Sequence, residues 1–220
     1  MIKNKLFVKF IGLSTIYICL ISLFLSYTGD KNSWFSDWFS DGLFVFQTVI
    51  IYLLGCSVIN EQYGYSAYHR YNSKKSFVCN HIADYFILSF IITAILFVSI
   101  TVFVVVHCYT ITFDLLVVFL NNFIKNFLGL CLVGIVSLNF LYSNFNRLKN
   151  SSLIITYLVL ILEVKVINSK GSSFFGFTFY ILFSWFFFSN DLVSHVVILS
   201  YIILFLFVLL KRIKKVDLIK

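Results

Sequence analysis

Residues 60–75 read Asn-Glu-Gln-Tyr-Gly-Tyr-Ser-Ala-Tyr-His-Arg-Tyr-Asn-Ser-Lys-Lys. This is the longest polar run between two apolar blocks, and the reading of the whole chain turns on it. A loop carrying Glu61, Arg70, Lys74 and Lys75 cannot lie in hydrocarbon, so it belongs in water at one face of a membrane. Its excess of cations places it in the cytoplasm. A short helix over 63–72 would set Tyr65, Tyr68 and Tyr71 on one side, three residues apart. Arg70 and Lys74, four apart, would share the other. An aromatic face and a basic face held between two spans suit docking on a soluble partner.

Composition sets the class. The 220 residues are 60% hydrophobic and 12% charged, with a mean hydropathy of +0.97. A soluble domain could not hide that much apolar surface, which makes the chain an all-α integral membrane protein with the bilayer as its solvent. Proline is absent, so helix breaks must come from glycine or polar residues. The net charge of +8 resides in cations clustered at segment ends rather than in a continuous patch. That is the distribution of topology determinants and not of a nucleic-acid surface. Cys19, Cys56, Cys79, Cys108 and Cys131 lie singly in or beside apolar segments without metal-ligand spacing, and read as small apolar fillers.

Read in order, six spans are expected at about 10–27, 42–59, 83–106, 124–142, 153–167 and 193–210, each near the roughly 20 apolar residues a helical crossing needs. The first follows Lys3, Lys5 and Lys9 like the start of a signal peptide, but has full span length and no small-residue cleavage site, so a retained span is expected. The loop after it carries Asp30, Asp37 and Asp41, with Trp34 and Trp38 placed as outer-interface anchors. Residues 77–81 are expected to extend the short loop helix along the membrane surface before the third span, and a short outer segment at 111–123 precedes the fourth span, with Lys125 snorkelling outward. Residues 174–188, including Trp185, are intensely aromatic. Counting them as a seventh span would put the basic tail outside. With six spans every basic residue except Lys31, Lys125, Lys165 and Lys170 is cytoplasmic. The 174–188 segment is therefore expected to be an outer re-entrant or interfacial element, with both termini cytoplasmic and 1–220 forming one transmembrane domain.

Catalytic motifs are missing. There is no P-loop, no His-Glu-x-x-His and no Gly-x-Ser-x-Gly. His81 and Asp84, three apart, share a helix face and could form an acid–base or metal pair, or could simply be two polar residues at an interfacial helix end. Asp114, Glu163, Lys165 and Asp191 are either a proton relay or groups snorkelling at the outer interface. A charge at the bilayer centre costs about 2.5–3.5 kcal/mol on insertion, and that cost fades near the interface. Asn122, Asn126, Ser137 and Asn139 form a polar stripe that could pack against another helix or line a translocation surface, with Gly129 and Gly134 allowing close approach. The 28 Phe and 13 Tyr suit lipid contact and could also line a path for an amphipathic cargo.

This pattern resembles the permease subunits of type-2 ABC exporters. That family has six spans, cytoplasmic termini, a coupling segment between spans two and three and an outer helical element between spans five and six. It carries a Glu, a Gly and an Arg before span three, and Glu61, Gly64 and Arg70 stand in those places here, followed by Lys74 and Lys75. Among such permeases the chain is similar to Gram-positive exporters of amphipathic peptides, of the lantibiotic-immunity and phenol-soluble-modulin types. The resemblance implies a multi-pass protein of the bacterial cytoplasmic membrane that exports an amphipathic or hydrophobic peptide, toxin-like or bacteriocin-like. It implies no catalysis and no cofactor in this chain. Partners would be a second permease, identical or paralogous, and two ATPase subunits holding ATP and magnesium. Glu61, Gly64, Tyr65, Tyr68, His69, Arg70, Tyr71 and Lys74 would form the ATPase-coupling element. Two other readings stand beside it: a stand-alone immunity or assembly protein acting through the aromatic outer segment, and a membrane enzyme using His81 and Asp84.

Overall fold

A computed structural model describes residues 5–28, 42–63, 71, 73–106, 113–143, 151–159, 161 and 191–213. These residues are helical apart from short turns and contain no strand. The helices are α1 (Lys5–Thr28), α2 (Gly42–Gln62), α3 (Lys74–Val106), α4 (Phe113–Leu141), α5 (152–159) and α6 (Asp191–Ile213). Among the described residues, three helical stretches are long and apolar enough to cross a membrane: Lys74–Val102, Leu116–Leu141 and His195–Ile213. Thr48–Gln62 is a shorter apolar helix.

The helices are apolar on both sides. Ile92, Leu96, Leu132 and Ile135 are fully buried between them, while Val98, Ile203 and Phe207 on the outer faces are more than half exposed. A helix apolar all round belongs in a large core or in lipid. Among the described residues three such helices are long enough to cross a membrane, and lipid is the environment that fits their outer faces. Polar side chains within the helices bond to the preceding turn of their own helix. Thr15, Thr101, Asn122, Asn126 and Ser200 each donate to the carbonyl four residues back, at 2.7–3.0 Å. This satisfies them where no water is at hand.

One sequence expectation is corrected here. The short outer segment expected at 111–123 is not separate from the fourth span, because α4 runs unbroken from Phe113 to Leu141. Nor do residues 77–81 form a separate surface piece, since α3 is continuous over 33 residues. Ser73 caps it, its Oγ accepting the Ser76 amide at 3.1 Å, and the Phe77 amide closes the first turn on the Ser73 carbonyl at 3.0 Å.

α3 is the central helix, touching α1, α2, α4 and α6. Against α4 it presents an aromatic zipper in which Phe97 meets Phe119 and Phe123 edge-to-face, with centroids 4.6 and 5.1 Å apart, and Phe90 meets Phe123 and Phe127. Two glycines permit close crossings. A Cβ on Gly55 would lie 2.7 Å from the Phe10 ring and 2.8 Å from Leu88, and one on Gly134 would collide with the Tyr52 hydroxyl.

These contacts order the helix ends. Phe10 near the start of α1 packs at Gly55 near the end of α2, and Asn60 at that same end bonds to His81 and Tyr85 on α3. Tyr142 after α4 also reaches His81, and Arg212 of α6 reaches Asn139 of α4. The start of α1, the end of α2, the start of α3, the end of α4 and the end of α6 thus gather at one pole. Of the described Lys and Arg residues, Lys5, Lys9, Lys74, Lys75, Lys211 and Arg212 lie there. Lys125 stands apart, about 24 Å along α4 from its Leu141 end at 1.5 Å per residue.

Several sequence expectations fall outside the described residues: the outer anchors Trp34, Trp38 and Trp185, the outer element at 174–188, the second half of the fifth span, and Gly64, Tyr65, Tyr68, His69 and Arg70 of the coupling segment.

Candidate functional site

The polar groups at the basic pole form one network whose hub is His81, two turns into α3 and fully buried. Nε2 of His81 lies 2.9 Å from Oδ1 of Asn60, and the Tyr85 hydroxyl donates to the same oxygen at 2.8 Å. An amide oxygen only accepts, so Nε2 carries the ring proton. Nδ1 of the neutral ring is then an acceptor, and the Tyr142 hydroxyl donates to it at 2.8 Å. One imidazole thereby ties α2, α3 and the residue after α4. Tyr85 and Tyr142 also meet its ring edge-on, at 5.0 and 5.9 Å.

Tyr63 closes the network from the loop side. It follows the last turn of α2, where its amide bonds to the Asn60 carbonyl at 3.0 Å. Its ring stacks on His81 at a centroid distance of 4.0 Å, and its hydroxyl donates to Oδ2 of Asp84 at 2.7 Å. Burial pushes the Tyr63 phenol well above its ordinary value, and the neighbouring Asp84 carboxylate pushes the same way. Tyr71, at the far end of the loop, stacks on Tyr63 at 6.3 Å, and both rings meet Phe77 edge-on at 5.3 and 5.2 Å. Both ends of the loop are thus fastened to the first two turns of α3.

A second polar junction joins α4 to α6. The Asn139 amide nitrogen donates to Ile135 O in its own helix at 3.0 Å and to Phe205 O of α6 at 3.1 Å. In return Arg212 of α6 donates to the Asn139 carbonyl at 3.2 Å, satisfying a helix-terminal acceptor with a cation. Ser137, two residues earlier in α4, is fully buried.

The structure sorts the sequence candidates as follows. His81 and Asp84 each take a tyrosine hydroxyl, and neither is bonded to the other. Among the described residues no three His, Cys, Asp or Glu side chains lie close enough to hold a metal. Glu61 is exposed on the last turn of α2, Tyr71 is packed inward on Tyr63 and Phe77, and Lys74 is half-buried at the start of α3. Asn122 and Asn126 bond within α4, whereas Asn139 binds across to α6. Asn60, Tyr63, Tyr85 and Tyr142 are the partners that sequence reading passed over. Tyr85 stands one turn from His81 and could have been paired with it by spacing. Nothing in the sequence points to Tyr142, 61 residues away.

The fold and this site define an all-helical protein suited to a membrane. No family model, curated protein or solved structure matches the sequence.

Proposed function

We propose that the chain is a permease subunit of an ATP-driven exporter for an amphipathic peptide, with residues 61–75 as the segment through which a separate ATPase moves the spans. One observation carries this reading: the root of that segment is wired to three helices at once. Tyr63 and Tyr71 fasten the loop to α3, and His81 passes the contact to Asn60 of α2 and to Tyr142 after α4. A push on the loop therefore reaches the bundle through packed rings and short hydrogen bonds rather than through a slack tether. The gathering of six described cations at the same pole supports a cytoplasmic position for it, where an ATPase would be met.

The enzyme reading gains nothing from the geometry. His81 is 0% exposed and both its ring nitrogens are engaged, which leaves no nitrogen for a substrate. The test of the exporter reading is to look for a P-loop ATPase in the neighbouring reading frames, to co-purify the chain with it, and to reverse the charge at Arg70 and Lys74. Loss of the ATPase, and of its stimulated hydrolysis, is expected. Retention of both in the reversed variant rejects 61–75 as the coupling element.

A further inference from the structure

At the basic pole the start of α3 and the end of α6 enclose a groove of about 640 Å³. Its rim carries Lys74, Lys75 and Lys211, and its wall is made by Phe207, Leu210 and Ile213. Both helices are among those long and apolar enough to cross a membrane, and the groove lies where their charged ends meet their apolar bodies. Below it Ile203, Phe207 and Leu210 recur at helical spacing on one stripe of α6, exposed by 66%, 67% and 37%. The groove therefore has a cationic mouth and an open apolar floor continuing along the outside of the bundle.

We infer that this groove binds an anionic glycerophospholipid, its phosphate among the three lysines and an acyl chain along Ile203, Phe207 and Leu210. Charge complementarity selects the headgroup. Among the described residues no acidic side chain lines the groove, and clustered cations at the end of a span attract anionic lipid. The exposed stripe selects a lipid over a free phosphate, because a soluble anion would leave that floor uncovered. The stripe reaches from Lys211 to Ile203, about 12 Å along the helix, which matches a stretch of acyl chain lying in the outer groove. A lipid held there would bridge α3 and α6, which share few direct contacts. The inference is independent of the transport reading, and its test uses no ATPase.

The full chain, purified in neutral detergent, is titrated with phosphatidylglycerol, with phosphatidylcholine of the same acyl chains, and with inorganic phosphate. Bound lipid is counted by native mass spectrometry and the melting temperature is followed in parallel. Phosphatidylglycerol is expected to bind and raise the melting temperature, with an affinity that falls as salt is added, while the other two leave the protein unchanged. At roughly fivefold per lysine, Lys75→Gln with Lys211→Gln weakens phosphatidylglycerol by about 25-fold, and Lys125→Gln leaves it intact. Equal binding of phosphatidylcholine, an equal effect of inorganic phosphate, or salt-independent binding of phosphatidylglycerol to the wild-type chain would each overturn the assignment. Undiminished binding by the double variant would overturn it as well. The salt series needs no variant, so it decides even if the substitutions impair folding.

Discussion

The ring of Tyr63 lies flat on the imidazole of His81, with centroids 4.0 Å apart and planes within 1° of parallel. The pair joins the exit of α2 to the second turn of α3. It also covers the face of a histidine whose two nitrogens are already committed to Asn60 and Tyr142.

Replacing that imidazole by a ring of similar shape separates packing from bonding. His81→Phe keeps an aromatic partner for Tyr63 but strands the Tyr142 hydroxyl, which is 5% exposed. Asn60 keeps its bond from Tyr85. The cost expected for one unsatisfied buried donor is about 1–3 kcal/mol. Combining the change with Tyr142→Phe should recover part of it, because the stranded hydroxyl is then gone. Thermal unfolding of the four members of this cycle in detergent checks the coupling, and strict additivity would show that the two side chains do not interact.

Gly134→Ala should destabilise by about 1–3 kcal/mol, as overpacking of a closed crossing does. The added methyl meets the Tyr52 hydroxyl, and the Tyr85 ring is 3.0 Å away. Tyr52→Phe removes the worst clash and should rescue part of the loss. Melting temperatures of the two single variants and the double variant read this directly.

The junction between α4 and α6 predicts a smaller effect. Asn139→Ala removes the side-chain bond to Phe205 O but leaves the backbone carbonyl that Arg212 reaches. Hydrogen bonds across membrane helices are worth about 0.6–1.7 kcal/mol, and a loss in that range is expected. Equilibrium unfolding in mixed micelles measures it, and an unchanged stability would mean that the bridge contributes nothing.

The pH response of Tyr63 has a definite sign. Its phenol is raised in the folded protein, so its contribution is fully present below the ordinary tyrosine value of about 10 and is lost as pH climbs through the folded value. The stability difference between the wild-type chain and Tyr63→Phe should therefore stay constant from about pH 6 to pH 9 and shrink only above about pH 10. A difference that moved with pH near neutrality would point to another titrating group.

Cys79 tests which face the basic pole occupies. It is exposed on the second turn of α3, while Cys56 and Cys131 are buried. In a variant retaining only this cysteine, a membrane-impermeant maleimide should label inverted vesicles and spare intact cells. Labelling of intact cells would place the pole, and the 61–75 loop with it, outside.

Much of the architecture was readable residue by residue. The apolar blocks that become α3, α4 and α6 follow from composition and length alone, since an apolar run of some 20 residues without internal partners has only a helix to satisfy its backbone. The continuity of α4 is not legible from length, because the stretch over 110–142 is longer than one span needs and shorter than two. In the structure Asn122 and Asn126 bond to the turn before them, so the helix passes through. The candidate site was legible as a place and not as a set of bonds. Residues 60–75, His81 and Asp84 are all singled out, and of the two readings open for His81 and Asp84 the fold makes no pair: each takes a tyrosine hydroxyl instead.

What the sequence by itself determined is the helical, bilayer-suited character of the chain and the clustering of cations at segment ends, because both depend on local composition and on solvation. What only the tertiary structure decided is which polar group answers which. Spacing along one helix fixes which side chains share a sector, whereas the partner across the gap depends on the rotation and depth of a different helix. Asn60, Tyr63 and Tyr142 come to His81 from elsewhere in the bundle, and Arg212 comes to Asn139 across 73 residues of chain.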